Sequence, residues 1–210
     1  MTVRSIFVII LSLWSNCAAA SAFQGGVQVQ PLETTIAIVG QRYCAAGPSL
    51  TSLELKLKLR YKNVGRQKLI LYRGHDLFYQ TRIRSVANDA SSKPHEIIFT
   101  NSRYFDEEFE PIDQPSPGEV FVILSPGEIY ERELMVGVGL AGGGGAASNH
   151  TVREGRHTLE LIVSTWYKSR PLAEKLRQRW ARKGLLWFDP LASMPIALTV
   201  GKPESPAPCH

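Results

Sequence analysis

The sequence predicts an all-β protein: an antiparallel immunoglobulin-like β-sandwich with one α-helix inserted near residues 170–183. Three observations lead there. Residues 52–61 alternate strictly between apolar and charged side chains, as a strand with one buried and one wet face does. About nine short segments of strand character follow one another, separated by Gly, Pro and Asn turn residues, which is the spacing of a sandwich. One stretch alone repeats its apolar residues every four positions, Leu172, Leu176 and Trp180, which is the spacing of a helix.

The elements follow in order. The chain has 210 residues. Arg4, an apolar run over 6–14, and then Ala18, Ala20 and Ala22 stand in the order of a secretory signal. Residues 1–22 are therefore expected to be a signal peptide cut after Ala20 or Ala22, giving a secreted or periplasmic protein. The run is shorter than the roughly 20 residues that a membrane span needs. Asn16 before Cys17 lacks the small residue of a lipoprotein signal, so Cys17 leaves with the leader. What remains reads as a single domain over 23–202 and a Pro-rich tail over 203–210.

The first strand falls at 35–39. In the second, Leu53, Leu55, Leu57, Leu59 and Tyr61 form the buried row against Glu54, Lys56, Lys58 and Arg60. The turn signal Asn63-Val64-Gly65 precedes the apolar run 68–72, so these two strands read as a hairpin. Strands follow at 78–84, 96–100 and 120–124. After the turn Ser125-Pro126-Gly127-Glu128 come 129–138, 158–167 and 196–200. Ser169 is a plausible N-cap, Pro171 suits a first turn, and Gly184 is a natural C-cap. This places residues 168–194 as a helical insertion between the last two strands.

The runs LELKLKLRYKNVGRQKLILYR, FVILSPGE and EGRHTLELIVSTWY, within residues 50–167, resemble small secreted or cell-envelope bacterial sandwich proteins of immunoglobulin-like type. They are also loosely similar to the proteinase-inhibitor domain family typified by the Bacillus intracellular inhibitor. The likeness consists of strand alternation, an Asn-x-Gly turn, a Pro-Gly-Glu turn and a Gly before a late strand. No functional residue of that family is carried over.

Composition bounds the function. Hydrophobic residues are 44% and charged residues 20%, ordinary for a globular chain and unlike a disordered one. Three cysteines are too few for a disulfide-dense scaffold. With Cys17 gone, Cys44 and Cys209 remain in a compartment that permits disulfides. A bridge between them would tie the tail to the body. Two free thiols, or Cys209-His210 as half of an intermolecular metal site, are the alternatives.

Three enzyme signals fall short. Gly137-Val138-Gly139-Leu140-Ala141-Gly142 matches G-x-G-x-x-G, but more glycines follow where a dinucleotide site needs a helix. No G-x-S-x-G occurs. His75, His95, His150 and His157 have no zinc-ligand spacing, and no H-E-x-x-H occurs. No catalytic residue, cofactor or metal is expected. Asn149-His150-Thr151 is a glycosylation sequon in a eukaryotic secretory pathway.

Charge is segregated instead. The net charge is +5, and Lys168, Arg170, Lys175, Arg177, Arg179, Arg182 and Lys183 face Glu174 alone within 168–183. Lys175, Arg179, Arg182 and Lys183 fall on adjacent helical turns, a candidate surface for an anionic lipid, glycan or protein; a solvated helix face is the plain alternative. Asp106, Glu107, Glu108, Glu110, Asp113 and Glu119 make an acidic counterpart opposed by Arg103. It suits a hard cation, docking onto the basic helix, or solvation. If Leu159, Leu161 and Val163 face the core, Ile162 and Trp166 face outward. Either the helix covers them through Leu172, Leu176 and Trp180, or Trp166, Trp180 and Trp187 form an aromatic patch for a glycan or peptide.

The expected function is a non-enzymatic binding or structural module with an extracytoplasmic partner, not nucleic acid, and with no transmembrane span after cleavage. One alternative is a proteinase inhibitor acting through a loop at 85–94, 101–117 or 139–155. Another is a hydrolase whose site residues are scattered.

Overall fold

In chain order the elements are β1 (Leu32–Ala45), β2 (Thr51–Asn63), β3 (Leu69–Tyr72), β4 (Phe78–Ser85), β5 (Glu96–Asn101), β6 (Phe121–Leu124), β7 (Ile129–Gly139), β8 (Gly155–Ser164), α1 (Arg170–Arg179), β9 (Leu185–Leu186), β10 (Leu191–Ala192), β11 (Ile196–Val200) and β12 (Ala207–Pro208). They are taken from a computed structural model that describes residues 30–45, 51–73, 78–86, 96–101, 115–140, 151–164, 170–202 and 207–209. The signal segment 1–22 lies outside them. No helix among the described residues is long and apolar enough to cross a membrane.

The alternation in β2 does what its period dictates. Leu53, Leu55, Leu57 and Leu59 are each 0% exposed. β2 sits between β1 and β7 in a sheet of order β12-β1-β2-β7. On the opposite face its cations meet acids of β7: Lys56 lies 2.8 Å from Glu133 and Lys58 2.7 Å from Glu131. β1 pairs antiparallel with β2 along its length, with one irregularity between Ile38 and Gly40, where Val39 is the extra residue of a bulge.

A second sheet has the order β10-β8-β4-β5, with β11 also paired to β8. Leu159, Leu161 and Val163 of β8 are fully buried, as the sequence predicts. β10 and β11 run consecutively along the same edge of β8, so the insertion leaves that edge and returns to it. A third, small sheet has the order β6-β3-β9. Pairing is mostly antiparallel; β12 on β1 and β9 on β3 are short parallel pairs. Residues from all three sheets and from the helical segment share one buried core.

The expected hairpin between 52–61 and 68–72 does not form. Both edges of β2 are occupied by β1 and β7, and β3 joins a different sheet. All four residues of β3 are buried, so it has no wet face to offer a two-stranded ribbon. Asn63 redirects the chain. Its side-chain amide donates to Gln67 O at 2.8 Å and Leu124 O at 2.9 Å, while its Oδ1 accepts from Gly65 N at 2.9 Å. Its backbone closes onto the next turn, with Gly127 N donating to Asn63 O at 2.8 Å. Gly127 has φ 84°, the left-handed region that glycine enters without a Cβ clash.

The helix also ends earlier than expected, at Arg179 rather than 183. Trp180 N still donates to Leu176 O at 2.8 Å, and the chain then turns with Lys183 N and Gly184 N both donating to Trp180 O. Gly184 lets the chain pass close beneath β3: a Cβ there would stand 2.9 Å from Lys68 O. The insertion is structural, since Leu185 N donates to Lys68 O and Trp187 N to Ile70 O. β8 begins at Gly155, three residues before the predicted 158, and is described to Ser164; residues 165–167, Trp166 among them, lie outside the described residues.

Candidate partner-binding surface

The helix divides its own cations into two groups. Arg177 is partly buried and turned inward: its Nε donates to Leu186 O at 3.0 Å, and its guanidinium lies 3.9 Å from the centre of the Phe188 ring. Arg170 reaches the same ring at 5.1 Å and meets Asp189 at 3.4 Å. Glu174 stands 3.9 Å from each of these arginines. A guanidinium over a phenyl face is held by the ring quadrupole, typically by about 0.5–2 kcal/mol. Arg170 and Arg177 thus fasten α1 to the segment that follows it.

The remaining cations face outward. Lys175, Arg179, Arg182 and Lys183 are all exposed. Lys175, Arg182 and Lys183 have no ion pair among the described residues. Arg179 has a contact within the chain. Beside them runs a shallow groove of about 430 Å³ lined by Leu172, Lys175, Leu176, Gln178 and Arg179. Of the four predicted cations, Lys175 and Arg179 line this groove beside Leu172 and Leu176, and Arg182 and Lys183 follow in the exposed turn after α1.

The tryptophans behave otherwise. Trp180 is 0% exposed and packs edge-on against Phe121, their ring centres 5.0 Å apart. Trp187 is 7% exposed, with its indole N–H donating to Asp189 O at 2.9 Å. A side chain with no exposed surface cannot meet a ligand, so Trp180 is corrected from candidate contact to core residue. Its partner is Phe121 of the small sheet. The acidic run over 103–113 lies outside the described residues, as do His75, His95 and His150. The loops 85–94, 101–117 and 139–155 fall largely outside them too.

The two cysteines form a disulfide, with Cα atoms 4.9 Å apart. β12 lies beside the end of β1, and Cys209 N donates to Ala45 O at 3.1 Å, so the tail is tied to the body as the bridge implies. Glu54 lies close enough to complete a three-ligand cluster with these sulfurs. Sulfurs bonded to each other are not thiolates, and Glu54 is already paired with Arg42. His157 is buried, its Nε2 donating to Arg153 O at 2.8 Å.

Sequence reasoning missed the role of Phe188 and Asp189. They follow the helix directly and could have been read as partners for Arg170 and Arg177, had the chain's return been known.

No protein-family model and no curated protein matches the chain. Among solved structures it is similar to the ApaA protein of Bordetella pertussis at 11% identity, covering 81% of this chain and 96% of that one, with a TM-score of 0.31. A score of that size does not define a shared fold.

Proposed function

We propose that this protein is a non-enzymatic binding module of the periplasm or the extracellular space, and that it meets an anionic partner through Lys175, Arg179, Arg182 and Lys183. One observation carries the reading. Of the cations in the helical segment, the two that serve the fold are consumed by Glu174, Asp189 and Phe188, while Lys175, Arg182 and Lys183 are exposed and without an ion pair among the described residues. Surface cations that do not neutralise their own chain raise the local potential and draw in an anion.

The compartment is supported by the signal-like order of residues 1–22 and by the Cys44–Cys209 bridge, which suits an oxidising environment. Nucleic acid is not the partner in that compartment. The immunoglobulin-like sandwich is supported by two mostly antiparallel sheets whose inner rows feed one core.

The test is elution from a dextran-sulfate column in a salt gradient. A variant carrying Lys175→Glu, Arg182→Glu and Lys183→Glu is compared with an equal-charge control, Lys62→Glu, Arg66→Glu and Arg153→Glu, at exposed positions elsewhere. The helix variant is expected to elute at clearly lower salt than the control. Equal shifts would reduce the retention to net charge and overturn the proposal.

A further inference from the structure

The two larger sheets approach each other along two seams, which differ. On one side β1 faces β11 and its continuation. There Gln41 Nε2 donates to Thr199 O at 3.0 Å and to the Tyr43 hydroxyl at 3.1 Å, and Gly201 N donates to the same hydroxyl at 2.7 Å. Side chains close this seam. On the other side the edge of β5, unpaired among the described residues, faces the edge of β7 near Gly137. Tyr79 crosses that seam, its hydroxyl donating to Met135 O at 2.8 Å. Beside this bond lies a cleft of about 310 Å³ lined by Tyr79, Thr81, Phe99, Thr100, Val136 and Gly137.

The hydrogen-bond phase shows what the two lips of the cleft present. In β7, Leu140 N donates to Thr51 O beyond the end of β2, whereas Gly139 O accepts from Val152 N and Met135 O from Tyr79. Odd-numbered residues of β7 therefore turn their backbone groups away from β2. Gly137 lies between two that are occupied, with its N–H and C=O directed to the open edge. In the other sheet, Val86 N donates to Arg156 O in the register of β4 with β8. Even-numbered residues of β4 thus face β8, and odd ones face Ile97, Phe99 and Asn101 of β5. That leaves Ile98 and Thr100 directed outward. Gly137 and Thr100 both line the cleft and both offer it a backbone donor and acceptor, unpartnered among the described residues. Beneath them Thr81 is 0% exposed, and its hydroxyl has no hydrogen-bond partner. Ile98 and Met135 add exposed apolar surface at the lips.

We infer that this open seam is a second binding site, which receives an extended, uncharged peptide segment of a partner protein by strand addition. An extended backbone entering here would meet Gly137 of β7, open between the occupied Met135 and Gly139, and Ile98 and Thr100 of β5, a short run of donors and acceptors. The cleft volume stands at the low end for small-molecule pockets, which run from about 300 to 1,000 Å³, and fits a side chain or two better than a cofactor. Its lining sets Phe99 and Val136 beside three hydroxyl residues, Tyr79, Thr81 and Thr100, and holds no charged side chain. The entering side chain is therefore uncharged and β-branched, as in Val, Ile or Thr. The site is independent of the basic surface on α1.

The probe is a random short-peptide display library panned against the whole mature protein. Enriched peptides should carry alternating uncharged β-branched residues. They should bind Gly137→Pro and Thr100→Pro about tenfold more weakly, the effect of one lost backbone hydrogen bond of about 1–1.5 kcal/mol. They should bind Lys175→Glu/Arg182→Glu unchanged. Proline is tolerated where an edge N–H faces outward. In case either variant misfolds, amide exchange on the unmutated protein reads the same contact: the Gly137 and Thr100 amides should slow when an enriched peptide is added. No enrichment, acidic peptides lost on the helix variant, or unchanged exchange at both amides would overturn the inference. A dimer of the unmutated protein that Gly137→Pro dissolves would do so as well, by naming a second copy as the occupant.

Discussion

Replacing Trp180 by alanine tests whether the inserted helix is held by its core contact. A buried tryptophan hides roughly 200 Å² of surface, and at about 25 cal/mol per Å² this corresponds to at most about 5 kcal/mol. Residual compactness of the unfolded chain lowers the figure, and buried Trp→Ala substitutions cost about 3–5 kcal/mol. Trp180 is fully buried and its edge contact with Phe121 is lost as well, so we expect about 4 kcal/mol. For a chain of this size that lowers Tm by about 8–16 °C. Urea titration followed by far-UV circular dichroism measures it, with Trp180→Phe expected to recover more than half. Dextran-sulfate retention of Trp180→Ala, measured where it is still folded, should match that of the unmutated protein. A loss below about 1 kcal/mol, or weaker retention without a loss of stability, would refute the core assignment and return Trp180 to the binding surface.

Two further outcomes are expected. Cys44→Ser with Cys209→Ser opens a loop with a sequence separation of 165, for which the chain-entropy relation gives about 5 kcal/mol; an unchanged urea midpoint would refute the stabilising role of the bridge. Burial of Tyr61 holds its phenol above its ordinary value of 10.0, partly offset by the nearby Arg132 charge. Above pH 10 the unfolded chain therefore binds fewer protons than the folded one, and stability falls as pH rises. Urea midpoints between pH 9 and 11 should drop less steeply for Tyr61→Phe than for the unmutated protein, and equal slopes would contradict this.

The sequence made strands legible wherever one face was wet and the other dry. The row Leu53 to Tyr61 is the clearest case, and the row Leu159 to Val163 the next. It did not reveal which strands pair. The run 68–72 stands just after a turn, so local reading joins it to its neighbour, yet β3 is buried all round and its partners come from 121–124 and 185–186. Helical spacing placed Leu176 and Trp180 on one face, and the exposed cations were legible from the same spacing. Which arginines serve the fold was not, because Phe188 and Asp189 meet them only after the chain turns at Gly184. The open seam was invisible for a similar reason. It depends on strands 79–101 and 135–139, which are far apart in sequence and meet only through sheet packing.

The bridge between Cys44 and Cys209 also governs how the molecule would bear a load. Grip the chain ahead of β1 and beyond residue 209, and pull. The covalent link carries the tension past every element from β2 to β12, so β1 alone is loaded, along its own length against β2. β1 already runs at about 3.3 Å per residue, close to the fully extended rise of about 3.5 Å, so drawing residues 32 to 44 straight releases only a few Å. With the link reduced, the remaining length, roughly 600 Å by the same rise, can be drawn out too. With the bridge closed the protein is a tie that hardly lengthens, and with it reduced it is a long, yielding cord.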